Sequence, residues 1–217
     1  MSYNLLSSDQ EIIRKMKSLK FIPLFIFLAA ASLEVNAQRS LSIGSEAPML
    51  DHSVEDINGR SITLSQTAQQ NGLLVVFSCN TCPMVSRWED RMKAVANSAR
   101  LNNIGMLVLN PNERIRERGE SLSDMKRRAT KQTYNFLYAS DKDHEIADAF
   151  GATRTPEVFL FDGSMKLVYK GSIDDNANNA SAVKNQYLED AIQALASGTE
   201  IEVKRSAPKG CPIKRNE

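Results

Sequence analysis

The sequence predicts an α/β fold in which a central mixed sheet is covered by helices on both faces. Three observations support this prediction. An apolar run, Leu73–Phe77, stops just before Cys79, and a helical pattern begins directly after Cys82. Ile104–Leu109 is continuously apolar apart from one glycine, as expected for a strand that is buried on both faces. A strand hairpin over 157–169, followed by a last helical pattern, completes the alternation.

The elements before the first buried strand are short. Asn58-Gly59 lies between two short alternating segments, 49–54 and 61–64, and this arrangement indicates a hairpin. Ser65–Gln70 has the pattern of a short helix that is capped by its own first residue, and Gly72 ends it before the strand.

Apolar residues recur at three- and four-residue spacing after Cys82, which predicts a long amphipathic helix that ends near Leu101. The residues on this stripe are Met84, Val85, Trp88, Met92, Val95, Ala96 and Ala99. The charged segment Asn110–Ser121 lacks any such pattern. We expect it to be either a plain surface connection or a lid.

The rest of the chain alternates between helix and strand patterns up to a tail without periodicity. The predicted elements are a helix at Ser123–Lys131, a strand at Phe136–Ala139, a helix at His144–Phe150, strands at Glu157–Phe161 and Leu167–Tyr169, and a helix at Val183–Ser197. The tail begins at Gly198, and its notable feature is Gly210-Cys211-Pro212.

The N-terminal region has the features of a secretory signal. Four basic residues precede the mostly apolar run Phe21–Leu33, and Val35-Asn36-Ala37 forms a small-residue cleavage pattern. The run is shorter than the ~20 residues that a membrane-spanning helix needs, so a retained membrane tether is the alternative reading. We therefore predict a signal peptide at 1–37, with Met16 as a possible true start, and no stable membrane span after cleavage.

The remaining chain is predicted to form one domain at 38–205 and a tail at 206–217 that carries Cys211. Removal of the signal leaves 23 basic and 23 acidic side chains, so charge gives no reason to expect nucleic acid or an acidic membrane surface as a partner. The predicted location is periplasmic or extracellular, where disulfides persist.

Cys79 and Cys82 have the spacing and the setting of a redox pair. A helix N-terminus favours a thiolate, which is the nucleophilic form of cysteine. Pro83 suits the first helical turn, where no N–H needs to be donated. We expect Cys79 to be the exposed attacking sulfur and Cys82 to be the deeper sulfur that resolves a mixed disulfide.

A structural disulfide or half of a zinc site is the alternative reading of the cysteine pair. A structural zinc site needs four ligands, and the other candidates are Cys211, His52 and His144, none of which stands at ligand spacing. The strand-then-helix setting favours redox chemistry over a metal site. No metal, nucleotide or flavin cofactor is implied.

The chain resembles the thioredoxin-like redoxins that are grouped with alkyl hydroperoxide reductase and thiol-specific antioxidant proteins. The segments that carry the resemblance are Gly44-Ser45-Glu46-Ala47-Pro48, Cys79-Asn80-Thr81-Cys82-Pro83, Trp88-Glu89-Asp90-Arg91, Tyr134-Asn135-Phe136, residues 152–162, Leu167-Val168-Tyr169-Lys170-Gly171, Ile173-Asp174-Asp175 and Gly210-Cys211-Pro212-Ile213-Lys214.

The resemblance implies a thioredoxin-like fold with a cis Thr155-Pro156 peptide beside the cysteines. Thr155 and Pro156 would then bind a substrate segment, whereas sequence statistics alone favour a trans proline. The chain departs from the sequence patterns of these families at two places. Ser78 stands where thioredoxins usually carry tryptophan, and neither cysteine has the upstream proline and threonine of the peroxiredoxin signature. Cys211 is either a third thiol at the site or an unpaired or intermolecular cysteine.

The function predicted from these features is that of an exported thiol-disulfide oxidoreductase. Cys79 and Cys82 would exchange disulfides with protein thiols, and a separate redox partner would reset them. A thiol peroxidase is the alternative within enzymes. A Cu(I)-binding protein, with the metal held by the sulfurs and His144, is the alternative from another class.

Overall fold

The structure is a computed structural model that describes residues 40–216. The predicted signal peptide at 1–37 and the possible start at Met16 lie outside the described residues. Within 40–216, no helix is long and apolar enough to cross a membrane.

The strands and helices follow the predicted alternation. The strands are β1 (Val54–Asp56), β2 (Ser61–Ile62), β3 (Gly72–Phe77), β4 (Ile104–Asn110), β5 (Leu137–Ser140), β6 (Arg154–Thr155), β7 (Glu157–Asp162), β8 (Leu167–Gly171) and β9 (Cys211–Pro212). The helices are α1 (Leu64–Thr67), α2 (Pro83–Leu101), α3 (Leu122–Lys131), α4 (Glu145–Phe150) and α5 (Tyr187–Ser197).

The central sheet is mixed, as the sequence predicts. Its strands follow the order β2-β1-β5-β4 and continue with β3-β7-β8, because β3 lies beside β4 and Ser78 N donates to Leu109 O at 2.8 Å. β4 and β5 are parallel, whereas β7 is antiparallel to both β3 and β8. A separate two-stranded ladder joins β6 to β9.

Alternate residues of β3 face opposite sides of the sheet, and each side is covered by helices. Leu74 and Val76 belong to the core cluster that includes residues of α2, α3 and α5. Leu73, Val75 and Phe77 belong to the other cluster, which includes residues of α1 and α4. The predicted α/β fold with helices on both faces is therefore confirmed.

The boundaries of α1 and α5 differ most from the prediction. α1 is capped by Thr63, whose hydroxyl accepts from Gln66 N, and not by the predicted Ser65. α5 begins at Tyr187, four residues after the predicted Val183. The Asp175 carboxylate accepts hydrogen bonds from the N–H groups of Lys184 and Asn185, which holds that segment as a loop.

The tail also differs from the prediction, because part of it is a strand. β9 pairs antiparallel with β6, in a register that places Cys211 opposite Thr155. A two-residue strand is too short to produce a periodic pattern, so the sequence gives no sign of it.

Candidate functional site

The cysteines lie where the sequence places them, at the junction of a buried strand and a helix. β3 ends at Phe77, and Cys82 is the N-cap of α2, with Pro83 as the first helical residue. The junction lies at one end of the central sheet, which is where open α/β sheets carry their sites.

The sulfurs do not pair as the sequence suggests. Cys82 forms a disulfide with Cys211, with 6.1 Å between the two Cα atoms and a sequence separation of 129. Cys79 remains a free thiol. The reason is the β6–β9 ladder, which holds Cys211 opposite Thr155, while the Thr155 carbonyl oxygen lies 3.4 Å from Cys82 Sγ. Of the two readings of Cys211, the structure therefore supports a third sulfur at the site.

Cys79 is buried, so its predicted exposure is wrong, whereas its predicted role as the attacking sulfur stays a prediction. Cys79 is only 1% exposed to solvent, and Cys82 is 4% exposed. Burial, and then the negative charge of Glu120, raise the pKa of the Cys79 thiol to about 11. Hydrogen bonds from the Thr155 hydroxyl and from the Cys82 and Thr81 N–H groups oppose this rise without cancelling it. The helix begins at Pro83, so Cys82 occupies the N-cap and Cys79 does not.

Glu120 is a buried site residue that the sequence analysis missed. Its carboxylate accepts hydrogen bonds from Asn80 N at 2.7 Å, from Thr81 N at 3.0 Å and from Thr81 Oγ1 at 2.6 Å. The Asn110 side-chain amide donates a further bond at 2.8 Å. The expectation of a plain surface connection is thus wrong at Glu120. Nothing in the local pattern distinguishes it from the exposed Glu117 of the same charged run.

Asn80, between the two cysteines, has partners for all four of its polar groups. In addition to the bond from its N–H to Glu120, its side-chain amide donates to Gly119 O at 2.9 Å. Its side-chain oxygen accepts from the Tyr138 hydroxyl at 3.1 Å, and its carbonyl accepts from Arg128 at 2.9 Å. The loop that joins Cys79 to Cys82 is therefore held in one conformation from several directions.

The Thr155-Pro156 peptide is cis, as the family resemblance implies. Thr155 is fully buried and contacts both sulfurs, since its hydroxyl lies 3.1 Å from Cys79 Sγ and its carbonyl faces Cys82 Sγ. The backbone edge that was expected to bind a substrate segment is occupied by Cys211 of the tail.

The structure gives the Cu(I) hypothesis no third ligand. His144 lies 2.7 Å from Asp148, and His52 lies 3.3 Å from Glu145. Among residues 40–216, no group of three or more histidine, cysteine and acidic side chains could hold a metal ion. Cys82 is in a disulfide, which lacks the thiolate that a soft metal binds.

The fold and its three gathered sulfurs define a thiol oxidoreductase with a thioredoxin-like fold. The chain belongs to the AhpC/TSA family, whose pattern matches residues 43–170. A search of the curated proteins found no match.

Solved structures agree with this fold. An uncharacterized conserved protein from Geobacillus kaustophilus superposes with a TM-score of 0.75 at 28% identity, covering 81% of this chain and 93% of its own. A bacterioferritin comigratory protein from Xanthomonas campestris, described by its alkyl peroxide reduction activity, superposes with a TM-score of 0.55 at 18% identity. The match covers 71% of this chain and 99% of that protein. A secreted disulfide oxidoreductase from Mycobacterium tuberculosis superposes with a TM-score of 0.52 at 14% identity. The match covers 67% of this chain and 96% of that protein.

The position of Glu120 leads to a prediction about the reactivity of Cys79. Glu120→Gln removes a negative charge that raises the Cys79 pKa, so we expect that pKa to fall from about 11. Each unit of decrease makes the thiolate about tenfold more abundant at pH 8. The measurement is the pH dependence of Cys79 modification by methyl methanethiosulfonate in the disulfide-intact protein. Glu117→Gln, in the same segment but exposed, is the matched control. An equal shift in both variants would contradict the assignment.

Proposed function

We propose that the protein is an exported thiol-disulfide oxidoreductase that exchanges disulfides with partner proteins through Cys79 and Cys82, with Cys211 as a third participating sulfur. One observation carries the proposal. The Cys82–Cys211 disulfide lies beside the Cys79 thiol, and all three sulfurs surround Thr155 next to a cis proline. Family membership supports redox chemistry on protein thiols and disulfides.

Cys82 is the sulfur that meets the substrate in this proposal. The N-terminus of α2 stabilises its thiolate, which attacks a substrate disulfide, forms a mixed disulfide and releases one substrate thiolate. The Cys211 thiolate then attacks Cys82 Sγ and releases the second substrate thiol. The substrate gains two electrons and the protein gains the Cys82–Cys211 disulfide. A partner dithiol restores the protein by the reverse exchange.

Cys79 provides a second exchange step within the protein, in which it replaces Cys211 as the partner of Cys82. Its thiolate can attack Cys82 Sγ, which forms a Cys79–Cys82 disulfide and releases Cys211 as a thiolate. With a Cys79 pKa of about 11, only about one molecule in a thousand carries this thiolate at pH 8. The rearrangement is therefore slow near neutral pH and accelerates as the pH rises towards 11.

Export is supported by the basic residues, the apolar run and the Val35-Asn36-Ala37 pattern at the N-terminus. A disulfide that closes a long loop also suits an oxidising compartment. N-terminal sequencing of protein from the periplasmic or culture fraction should show cleavage after Ala37. Full-length protein in the cytoplasm would contradict export.

Disulfide reduction by the full chain tests the proposed function. The reduced protein is expected to reduce insulin disulfides with dithiothreitol as the terminal reductant, faster than dithiothreitol alone. Peptide mapping after equilibration with glutathione buffers should recover Cys82–Cys211 as the main disulfide at pH 7 and a growing fraction of Cys79–Cys82 at pH 10. No insulin reduction above the background would refute the proposal.

A thiol peroxidase is the second candidate, and the same disulfide is the observation that favours it. A Cys82 thiolate that attacks a hydroperoxide becomes a sulfenic acid and releases the alcohol or water. Condensation with the Cys211 thiol then expels water and leaves the disulfide that is observed. Stopped-flow mixing with hydrogen peroxide separates the candidates. Oxidation of Cys82 far faster than that of free cysteine favours the peroxidase, and a similar rate favours disulfide exchange.

A further inference from the structure

Residues 210–215, here called the docked tail, lie on the site as a bound peptide would lie. Cys211 and Pro212 pair with Thr155 and Arg154 as an antiparallel ladder. The Arg154 side chain donates to the carbonyl of Gly210 at 2.9 Å. The backbone of residues 210–212 is therefore bound as an added strand is bound, and the Arg215 side chain adds bonds to Asp148 at 2.7 Å and to Ala152 O at 2.6 Å.

The position before Cys211 accepts only glycine. A Cβ built on Gly210 would lie 2.2 Å from the Thr155 carbonyl oxygen and 2.6 Å from its carbonyl carbon. Both atoms belong to backbone that is fixed by the neighbouring Pro156 and by strand β7, so they cannot move aside as a flexible side chain could. The site therefore selects the residue that precedes the bound cysteine.

The position two residues after Cys211 enters an apolar pocket. Ile213 is 7% exposed and belongs to the core cluster that contains Phe150 and Ala152. Its N–H donates to Thr153 O at 3.1 Å. The exposed Pro212 between these two positions makes no comparable demand on size. The surface thus distinguishes a glycine, a cysteine and an aliphatic side chain in fixed order.

The docked tail is tethered independently of the surface that it covers. Ser206 N donates to Lys170 O at 3.0 Å, and the Ser206 hydroxyl contacts Tyr169 and Ser172. Residues 207–209 then connect this anchor to Gly210. Once the Cys82–Cys211 bond is reduced, the docked tail can leave while the anchor keeps it close to the site.

The family resemblance already implies that a substrate segment binds beside Thr155 and Pro156. We propose that this surface selects its substrates, and that they are extended protein segments with a disulfide-bonded cysteine directly after a glycine and an aliphatic residue two positions later. The inference rests on the proposed function and adds the class of segment that is bound. Before a substrate binds, the docked tail occupies the site in place of a substrate segment. Its cysteine leaves when a substrate segment binds, and it returns to attack Cys82 Sγ and release the substrate thiol.

Paired peptide probes test this assignment on the full chain. The probes are Lys-Gly-Cys-Pro-Ile-Lys and Lys-Ala-Cys-Pro-Ile-Lys, each with its cysteine in a mixed disulfide with thionitrobenzoate. The reduced Cys211→Ser chain is used so that no tail thiol competes. Attack by Cys82 on the peptide sulfur forms the peptide–Cys82 disulfide and releases coloured thionitrobenzoate. We expect the glycine probe to react at least tenfold faster. Free glutathione, as the chemical control, should react with both probes at rates within twofold.

A second variant tests whether the docked tail competes for the same surface. Adding Gly210→Ala to the Cys211→Ser chain should unseat the docked tail, because the new Cβ meets the Thr155 carbonyl. The glycine probe should then react several-fold faster than with Cys211→Ser alone. An unchanged rate in this variant would count against a shared surface.

The outcomes separate this inference from the proposed function. Equally fast reaction of both probes would leave disulfide exchange intact and overturn the binding site. If neither probe nor an unstructured small disulfide reacts at Cys82, both proposals fall. A Cys82–Cys211 disulfide between a labelled and an unlabelled chain would identify a second copy as the occupant, and would overturn the assignment to substrate segments.

Discussion

Cys82→Ser is expected to lower the rate of insulin reduction by about 10²- to 10³-fold at pH 8. Cys82 is the one sulfur common to the observed Cys82–Cys211 disulfide and the alternative Cys79–Cys82 disulfide. The thiols that remain cannot replace it. Cys79 is buried in the disulfide-bonded structure, where burial and then the charge of Glu120 raise the pKa of its thiol to about 11, so we expect its thiolate to be scarce at that pH. Cys211 has no helix N-terminus of its own, since it lies in a strand.

Cys211→Ser and Cys79→Ser are the matched comparisons, because each keeps Cys82 and one partner for it. Both variants should retain the first attack on a substrate disulfide, which a single-turnover measurement with thiol alkylation detects. We expect Cys79→Ser to support continued turnover through Cys211, whereas Cys211→Ser depends on the high-pKa Cys79 for release and turns over more slowly. Activity of Cys82→Ser within tenfold of the unsubstituted chain would contradict the central place of Cys82.

The part of the site that the sequence predicts is the part that local patterns encode. The apolar run of β3 and the stripe of α2 fix a strand and a helix on either side of the cysteines. Pro83 marks the first helical turn, and the structure confirms that boundary. The cis peptide at Pro156 came from the family resemblance, and local propensity alone would have given the opposite prediction.

The part that the sequence does not predict depends on contacts between distant segments. Cys211 reaches Cys82 because β9 adds to β6, and neither two-residue strand has a pattern that could be recognised. Glu120 reaches the cysteine loop because the backbone turns at Gly119, where φ is +100°. The low exposure of Cys79 has a similar origin, since the Thr155 backbone and the docked tail cover the sulfurs.

Burial, and then the charge of Glu120, explain why the Cys79 thiol is a weak acid although two backbone N–H groups donate to it. The Thr81 and Cys82 N–H groups would favour a Cys79 thiolate. The carboxylate of Glu120 takes the N–H groups of Asn80 and Thr81, and it forms no ion pair with any residue of 40–216. Its negative charge therefore adds to the cost of burial at Cys79. In the proposed mechanism, the raised pKa of Cys79 keeps this thiol protonated while the neighbouring Cys82 exchanges.

Removal of the Cys82–Cys211 disulfide is expected to lower the free energy of unfolding by about 4–5 kcal/mol. The bond joins residues 129 apart, so it restricts the unfolded chain over most of the domain. The folded state is affected less than the unfolded state, because the docked tail keeps its backbone hydrogen bonds when Cys211 becomes serine. The measurement is urea unfolding of the oxidised chain and of Cys211→Ser at pH 7.

The same comparison under reducing conditions identifies the cause of the loss. With dithiothreitol present, the unsubstituted chain should unfold at nearly the same urea concentration as Cys211→Ser, because both then lack the cross-link. Cys79→Ser is the control for loss of a buried sulfur, and we expect it to cost about 1 kcal/mol, since the disulfide remains and only the contact with the Thr155 hydroxyl changes. If Cys211→Ser lowers the free energy of unfolding no more than Cys79→Ser does, the cross-link does not stabilise the fold, and the docked tail is held by its non-covalent contacts alone.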